Sequence, residues 1–317
     1  MTATSRHVVT EIDEWVSRCS SAYVPLRVDV AKPAFRGAIR ERSIGDLSVC
    51  QVAATSSVVS RTAAHASADP RESLMFTGAL AGTTVVVQNG RVSELGAGGF
   101  YLIASDLPYG LRIPRHNDLA SLRIPVSALQ LRPDELGVLG GATLHGGVEQ
   151  ARILVCRIRE LAAAPAPATA EDERVTVELA RAVLHVLRYG ETSHPVLSGP
   201  AILASARWFI DTHHARASLT IDEVAQRFVV SRRHLESQFA RTDTTPAAYL
   251  REARLRHACD LLSQEPSTSV TAIAARAGFS DVNTFIRSFR REHGATPAQW
   301  RRDDRTQEQD PGLAATG

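Results

Sequence analysis

From Ser269 to Pro297 the chain reads SVTAIAARAGFSDVNTFIRSFRREHGATP, and its apolar positions recur at helical spacing. Ile273, Ala274 and Ala277 share one stripe, which predicts a short helix over 270–277. Gly278 then supplies the positive φ that a tight turn between two helices needs. Phe285 and Phe289, four apart, mark the core side of a second helix, and the same spacing sets Asn283 and Arg287 on another face. A short helix, a glycine turn and a helix with an apolar back and a polar front is the helix-turn-helix plan.

The pattern occurs twice. Val224-Ala225 repeats as Ile273-Ala274, Leu235 and Phe239 as Phe285 and Phe289, and Pro246 and Tyr249 as Pro297 and Trp300. The two helix-turn-helix units therefore fall at about 221–241 and 270–291, with one helix over 247–264 between them. At ~1.5 Å per residue that helix spans about 27 Å, the order of the ~34 Å between successive major-groove windows on one side of B-DNA. The first unit runs from Phe239 to Pro246 with one residue fewer than Phe289 to Pro297 and lacks a counterpart of Gly294, which predicts altered packing on the linker helix.

Upstream the texture differs. Val9, Ile12 and Val16, with Trp15 beside them, predict a helix within 8–24. From Leu26 to Pro125, short apolar runs are broken by Gly, Pro, Asp and Asn. Alternation predicts strands at 47–53 and 74–80, and Asn89-Gly90 predicts a hairpin turn between 83–88 and 91–95. Gly96 to Gly99 predicts a second turn before a strand at 100–104. Strands so spaced predict an antiparallel barrel or sandwich, an architecture able to enclose a small-molecule cavity. Helical periodicity returns over 149–163 and 171–189, split by Pro165-Ala-Pro167, which predicts a helical hairpin able to serve as a dimer contact or to pack on its own barrel. Residues 190–200 are aperiodic and read as a linker. The fold class is therefore α+β. Residues 1–195 are expected to form a domain able to enclose a small molecule and to dimerise through the hairpin at about 149–189, and 200–305 an all-α DNA-binding domain.

Composition adds modest support. The chain has 317 residues, 44% hydrophobic and 22% charged, with a net charge of +2. Residues 201–305 hold 16 Arg against 12 Asp or Glu, leaving about −2 for the rest. Lys32 is the only lysine, so nearly every positive charge is a guanidinium that can grip phosphate or guanine with two bonds. Cys19, Cys50, Cys156 and Cys259 form no CxxC pair and read as buried, reduced side chains. No apolar run of membrane length and no leader pattern is present, so a soluble cytoplasmic protein is expected.

The chemistry follows from the repeat. In the first unit Ser231 is placed to cap the helix from Arg232 to Arg241. Arg233 and Ser237 face outward as base readers, with Arg232 and Gln238 beside them. In the second, Asn283 and Arg287 face outward, flanked by Val282 and Thr284; Asn suits adenine and Arg suits guanine. Arg290, Arg291, Arg301 and Arg302 are placed for phosphates.

Leu219 to Ala225, Ser231 to Leu235 with Phe239, Arg254-Leu255 with Ala258 and Leu261-Leu262, Ile273-Ala274 with Gly278-Phe279-Ser280, and Gly294 with Thr296-Pro297 resemble the AraC/XylS family of transcription regulators. Arg61-Thr62 with His65, Gly90-Arg91 with Leu95-Gly96 and Gly98, and Pro108-Tyr109 resemble the cupin-like sensor domain of one subgroup. The resemblance implies a small-molecule effector, a homodimer, a double-stranded DNA operator, and activation through RNA polymerase.

Two other readings compete. A cupin-like metal enzyme would need clustered ligands, but His65, His116 and His145 are scattered, with no HxH, so no metal or cofactor is expected. His213 and His214 are adjacent and read as solvated or capping residues. GxSxG, HExxH, P-loop and GxGxxG motifs are absent, which argues against an enzyme. The third reading is a DNA-binding regulator controlled by a protein partner, with no ligand in its barrel.

Overall fold

The computed structural model describes residues 7–30, 35–70, 72–131, 133–144, 147–191 and 193–302. The chain divides into two compact units, Met1–Ala201 and Ile202–Gly317. In the first run β1 (His7–Val9), α1 (Ile12–Ala22), β2 (Arg27–Asp29), β3 (Gly37–Ile44), β4 (Leu47–Arg61), α2 (Ala63–Ala68), β5 (Ser73–Gly82), β6 (Thr84–Gln88), β7 (Arg91–Leu95), β8 (Phe100–Ala104) and β9 (Tyr109–Pro125). After them come α3 (Val126–Leu129), α4 (Pro133–Leu139), β10 (Thr143–Leu144), α5 (Glu149–Ala163) and α6 (Ala170–Tyr189). α7 (Gly199–His213) leads into the second unit, with α8 (Ile221–Arg227), α9 (Arg232–Ala240), α10 (Pro246–Gln264), α11 (Val270–Arg276) and α12 (Val282–His293).

The ten described strands form one antiparallel sheet in the order β1-β3-β4-β9-β5-β8-β10, with β2 added to β4 and β6-β7 added to β9. β4 and β9 are its spine. Their register slips between Thr55 and Ser57, leaving Pro114 and Arg115 opposite Ser56 alone. A proline cannot donate to a ladder, and this one stands where the ladder is broken by a bulge. Beyond the bulge the partners change: β4 passes from β3 to β2, and β9 from β6 to β5. The sheet thus folds over into an open, cupin-like barrel.

Alternation along the strands gives the two faces different work. Val49, Leu122, Phe76 and Leu102 stand opposite one another, all with no exposed surface. α5 covers that face, and its Val155 lies where a Cβ on Gly78 would come within 2.2 Å, so only glycine admits the helix. Arg42 donates to the carbonyls of Leu161 (2.9 Å) and Ala166, holding the hairpin loop, and Arg157 bridges to Asp172 at 2.5 Å. The hairpin's apolar residues, among them Ile153, Leu154, Ile158, Leu179 and Val183, are buried. Of the two roles open to the hairpin, its apolar stripe takes the packing one. The opposite rank, Cys50, Ser121, Thr77 and Tyr101, points inward, and α1 packs over it with Trp15, Cys19 and Ala22 buried.

Several expectations change. The helix expected within 8–24 spans only Ile12–Ala22, because Val9 is drawn into an edge strand opposite Gly37. The strands expected at 47–53 and 74–80 are parts of longer ones, and β3 and β9 were not expected at all. β9 escapes pattern reading because its centre, Arg112 to Asp118, is polar and contains the bulge proline. Asn89 and Gly90 form the expected turn, with φ of 53° and 72°. Cys19 and Cys50 are buried as expected, whereas Cys156 and Cys259 are half-buried beside Glu160 and His293.

In the second unit each of α8 to α12 is capped by the residue before it: Thr220, Ser231, Thr245, Ser269 and Asp281 accept from the N–H three residues on. The two helix-turn-helix units match closely. Val230 N–H donates to Ala225 O at 3.0 Å in the first turn, and Phe279 N–H to Ala274 O at 2.9 Å in the second. Phe239 packs edge-on against Tyr249 at 5.7 Å, as Phe289 does against Trp300 at 6.2 Å. The missing residue does not disturb the first unit's packing, because Asp243 adopts φ 54° and takes the role Gly294 fills at φ 72°.

The inter-helix turns differ in strain. Gly278 sits at φ 93°, where an added Cβ would meet His214 O at 2.3 Å; its counterpart, Val229, is a β-branched residue at φ 54°. Gly278→Ala is therefore expected to destabilise the helical C-terminal domain by about 2 kcal/mol or more, while Val229→Gly stabilises that domain by up to ~1 kcal/mol. Urea denaturation checks both; equal effects would remove the strain argument. In the first unit Arg61, 1% exposed, donates to the carbonyls of Pro25 (2.6 Å), Asp69 (2.6 Å) and Ser105 (2.7 Å). Arg61→Ala leaves three acceptors without their donor and is expected to cost about 3 kcal/mol or more in the same assay.

Candidate nucleic-acid interface

Asp281 caps α12, its carboxylate accepting from Thr284 N–H at 2.6 Å; hydrogen bonds from the Thr284 hydroxyl and N–H hold its pKa below the usual value. Phe285, Ser288 and Phe289 are buried against Leu255, Leu262, Ile273 and Ala277. Asn283, Thr284, Arg287, Arg290 and Arg291 are exposed. The Asn283 side chain makes no hydrogen bond among the described residues, and Arg287 is steadied only by a 3.4 Å contact to Thr284 Oγ1 and the nearby Asp281 charge. One helix face thus presents an amide and a guanidinium, both able to form paired bonds to base edges. Val282 is half-buried against the core cluster, so its share in an outward surface is smaller than sequence spacing suggests.

α9 offers less. Arg233 and Ser237 are exposed, and their side chains have no partner among the described residues. Arg232 is held by Glu236 at 2.9 Å and Asp222 at 3.3 Å, and hydrogen bonding to Glu236 with the Asp222 charge raises its pKa. Its charge is largely answered inside the protein. Gln238, expected to face out, is buried, and its Oε1 accepts from Arg241 at 3.4 Å. It falls on the Leu235 and Phe239 side because three residues of helix carry it about 300° round from Leu235. Farther along the chain Arg302 is exposed, and Arg301 donates to Pro266 O at 3.2 Å, so part of its guanidinium is engaged.

The histidines find local roles. His65 completes a capping box with Thr62, and His116 lies in β9 opposite Thr55; His145 lies outside the described residues. His213 and His214 are half-buried at the C-terminal end of α7: His213 lies 4.4 Å from the Phe209 ring, and His214 lies 4.9 Å from the His257 ring and bonds Asp211 O, the capping role open to it. Among the described residues no three His, Cys, Asp or Glu side chains group as metal ligands, and no helix is long and apolar enough to cross a membrane.

The first unit encloses a cavity of about 70 Å³ between α1 and the inner sheet face, lined by Trp15, Tyr23, Met75, Thr77, Tyr101 and Ser121 among others. Thr77 and Ser121 hydroxyls lie 3.0 Å apart. The sequence predicts a barrel able to hold a cavity but assigns no residue to its lining. The available signal was polar Thr77 and Ser121 inside otherwise apolar strands.

Comparison with known proteins agrees with this architecture. An AraC-binding-like domain family matches residues 15–188, and a helix-turn-helix domain family matches 224–303. Transcriptional activator NphR of Rhodococcus sp. is 26% identical over 302 residues, covering 92% of this chain and 88% of that protein. HTH-type transcriptional activator RhaR of Salmonella dublin is 41% identical over 86 residues, covering 27% of this chain and 30% of its own length. Among solved structures, the AraC-like transcriptional activator CuxR aligns with 80% of this chain and 95% of its own at 18% identity and a TM-score of 0.48. With an AraC-binding-like domain over more than half its length and a helix-turn-helix domain after it, the chain belongs to the AraC family of DNA-binding transcription regulators.

Proposed function

We propose that the protein is a cytoplasmic, effector-controlled transcriptional activator without catalytic activity, and that Asn283 and Arg287 are its principal base readers. The observation that carries the reading is the division of α12 into a buried Phe285–Phe289 side and an exposed side bearing these two unencumbered groups. Arg233 and Ser237 on α9 make the second base-reading pair. Arg290, Arg291, Arg301 and Arg302 meet phosphates. Arg232, already ion-paired, contributes mainly by ordering α9.

The DNA-binding domain comprises residues 200–305 and the sensing domain 1–195, the sensor's cavity being the effector site. A homodimer would place four recognition helices on an operator with two half-sites, and RNA polymerase is the partner through which an activator acts. Should the hairpin over 149–189 contribute to that dimer, its outer face, with exposed Arg152 and Arg159, is the surface available, since the apolar stripe is covered.

Asn283→Ala and Arg287→Ala are each expected to weaken operator binding by about 1–3 kcal/mol while binding to random DNA changes little. Titrations of both DNAs at one fixed salt concentration test this, and equal losses would refute base reading. Residues 195–317 alone are expected to fold and bind DNA; a folded fragment that does not bind would overturn the proposed division.

A further inference from the structure

We infer that the sensor cavity takes a compact, uncharged, largely apolar molecule carrying one hydroxyl- or carbonyl-sized polar end. This rests on the reading of the cavity as the effector site. Nineteen residues line it, and none is an Asp, Glu, Lys, Arg or His. Its ionisable groups stay neutral: burial pushes the Cys19 thiol up to about 12 and raises the Tyr23, Tyr101 and Tyr109 phenols well above their usual range. The nearby Arg61 guanidinium is occupied by three carbonyls, and the Glu41 carboxyl in β3, outside the lining and with its pKa raised by desolvation, accepts from the Ser48 hydroxyl at 3.3 Å. A carboxylate or ammonium entering the cavity would lose its hydration with no counter-charge in the lining.

The hydroxyl network lies at one end. Thr77 and Ser121 share a 3.0 Å hydrogen bond, Tyr101 bonds Thr77, and Tyr23 bonds Ser121. Four linked hydroxyls can rotate to donate to or accept from a single guest group. Of the other polar lining groups, Asn117 accepts from Ala54 N–H and donates to Thr84, and Ser57 donates to Thr55 O, while the Tyr109 phenol and the Cys19 thiol complete the set. The remaining walls are apolar, with Val59, Leu111, Ile113 and Leu119 among them.

Size adds a consequence. At about 70 Å³ the cavity is roughly half the ~150 Å³ that admits benzene to an apolar protein interior. A ring-sized guest therefore has to displace part of the lining. α1 contributes Trp15 and Cys19 and is the wall outside the strand ladder, so it yields before the sheet does. Trp15, packed on Phe35 at 5.4 Å, reports that movement.

The test uses the full-length chain with five probes: benzyl alcohol, toluene, benzoate, benzylammonium and glucose. Calorimetry, thermal denaturation and tryptophan emission are the readouts. Benzyl alcohol is expected to bind saturably, raise Tm and shift the emission, with benzoate and benzylammonium at least about tenfold weaker. Ser121→Ala, and independently Thr77→Val, are expected to weaken benzyl alcohol about fivefold while toluene stays within about twofold, which also shows that the cavity remains folded. Benzoate, benzylammonium or glucose binding as well as benzyl alcohol overturns the inference. So does failure of both neutral ring compounds to bind a chain that still binds its upstream regulatory DNA, a result that leaves the DNA-reading assignment intact. Binding of benzyl alcohol by a chain that does not distinguish that DNA from random sequence supports the inference and refutes the base readers instead.

Discussion

Phe285 and Phe289 have to be buried for α12 to hold its orientation, and the polar surface of the helix follows from that constraint. Each buried phenylalanine contributes roughly 1.5–3 kcal/mol, more than any exposed hydrogen bond on the opposite side. Turning α12 by one residue, about 100°, would expose both rings while moving Asn283 and Arg287 away from the outer surface. The same reasoning holds for α9, where Leu235 and Phe239 fix the direction of Arg233 and Ser237. Linker helix α10 serves both: Leu255 and Leu262 receive α12, and Tyr249 receives Phe239. The outward placement of Asn283 and Arg287 is thus a by-product of core packing, which is why a helix so strongly divided into two faces suits the proposed base reading.

That constraint explains which parts were legible in the sequence. Aromatic pairs four apart, cap residues and a turn glycine are local signals, and they located both helix-turn-helix units and the linker helix. The Asn89-Gly90 hairpin was legible for the same reason, because its turn chemistry is local. β9 was not, since its fold depends on partners far away: residues 117–125 match an ordinary strand, but 109–116 pair with β6 and β4 around a bulge. Gln238 was misplaced because its side is set by which helix surface α10 covers, and the Arg232 ion pair to Asp222 was hidden because Asp222 lies on another helix. The tolerance of Asp243 at positive φ was likewise invisible to a rule that looks for glycine.

In the first unit the corresponding constraint is the bend. Strands β4 and β9 are long enough to serve two parts of the sheet only if the ladder breaks, and Pro114 opposite Ser56 provides the break. Folding the sheet over brings the Thr77–Ser121 end of one part within reach of Val59 and Leu111 from the other. Alternation then separates the faces: large aliphatics meet α5, while the hydroxyl-bearing rank turns inward toward α1. Inward polar residues in buried strands cost stability unless they are paired, and these are paired with one another. The arrangement is consistent with a surface kept polar for an occupant as well as for the sheet.

The two recognition helices are unequal despite their shared architecture. α12 keeps Asn283, Arg287, Arg290 and Arg291 exposed, and Asp281, the acid beside Arg287, is engaged as the helix cap. On α9 two carboxylates hold Arg232, Gln238 is buried, and Val229 in the preceding turn adopts a backbone angle unfavourable to its β-branched side chain. Two unencumbered polar residues, Arg233 and Ser237, remain among those expected to touch DNA on that helix, and one of them carries charge. Fewer preformed donors mean a smaller direct contribution to sequence discrimination, since each good paired contact supplies ~1–3 kcal/mol. Under the proposed reading the division of labour is asymmetric: the second helix-turn-helix would set most of the sequence preference, and the first would add a weaker grip whose orientation the linker helix fixes.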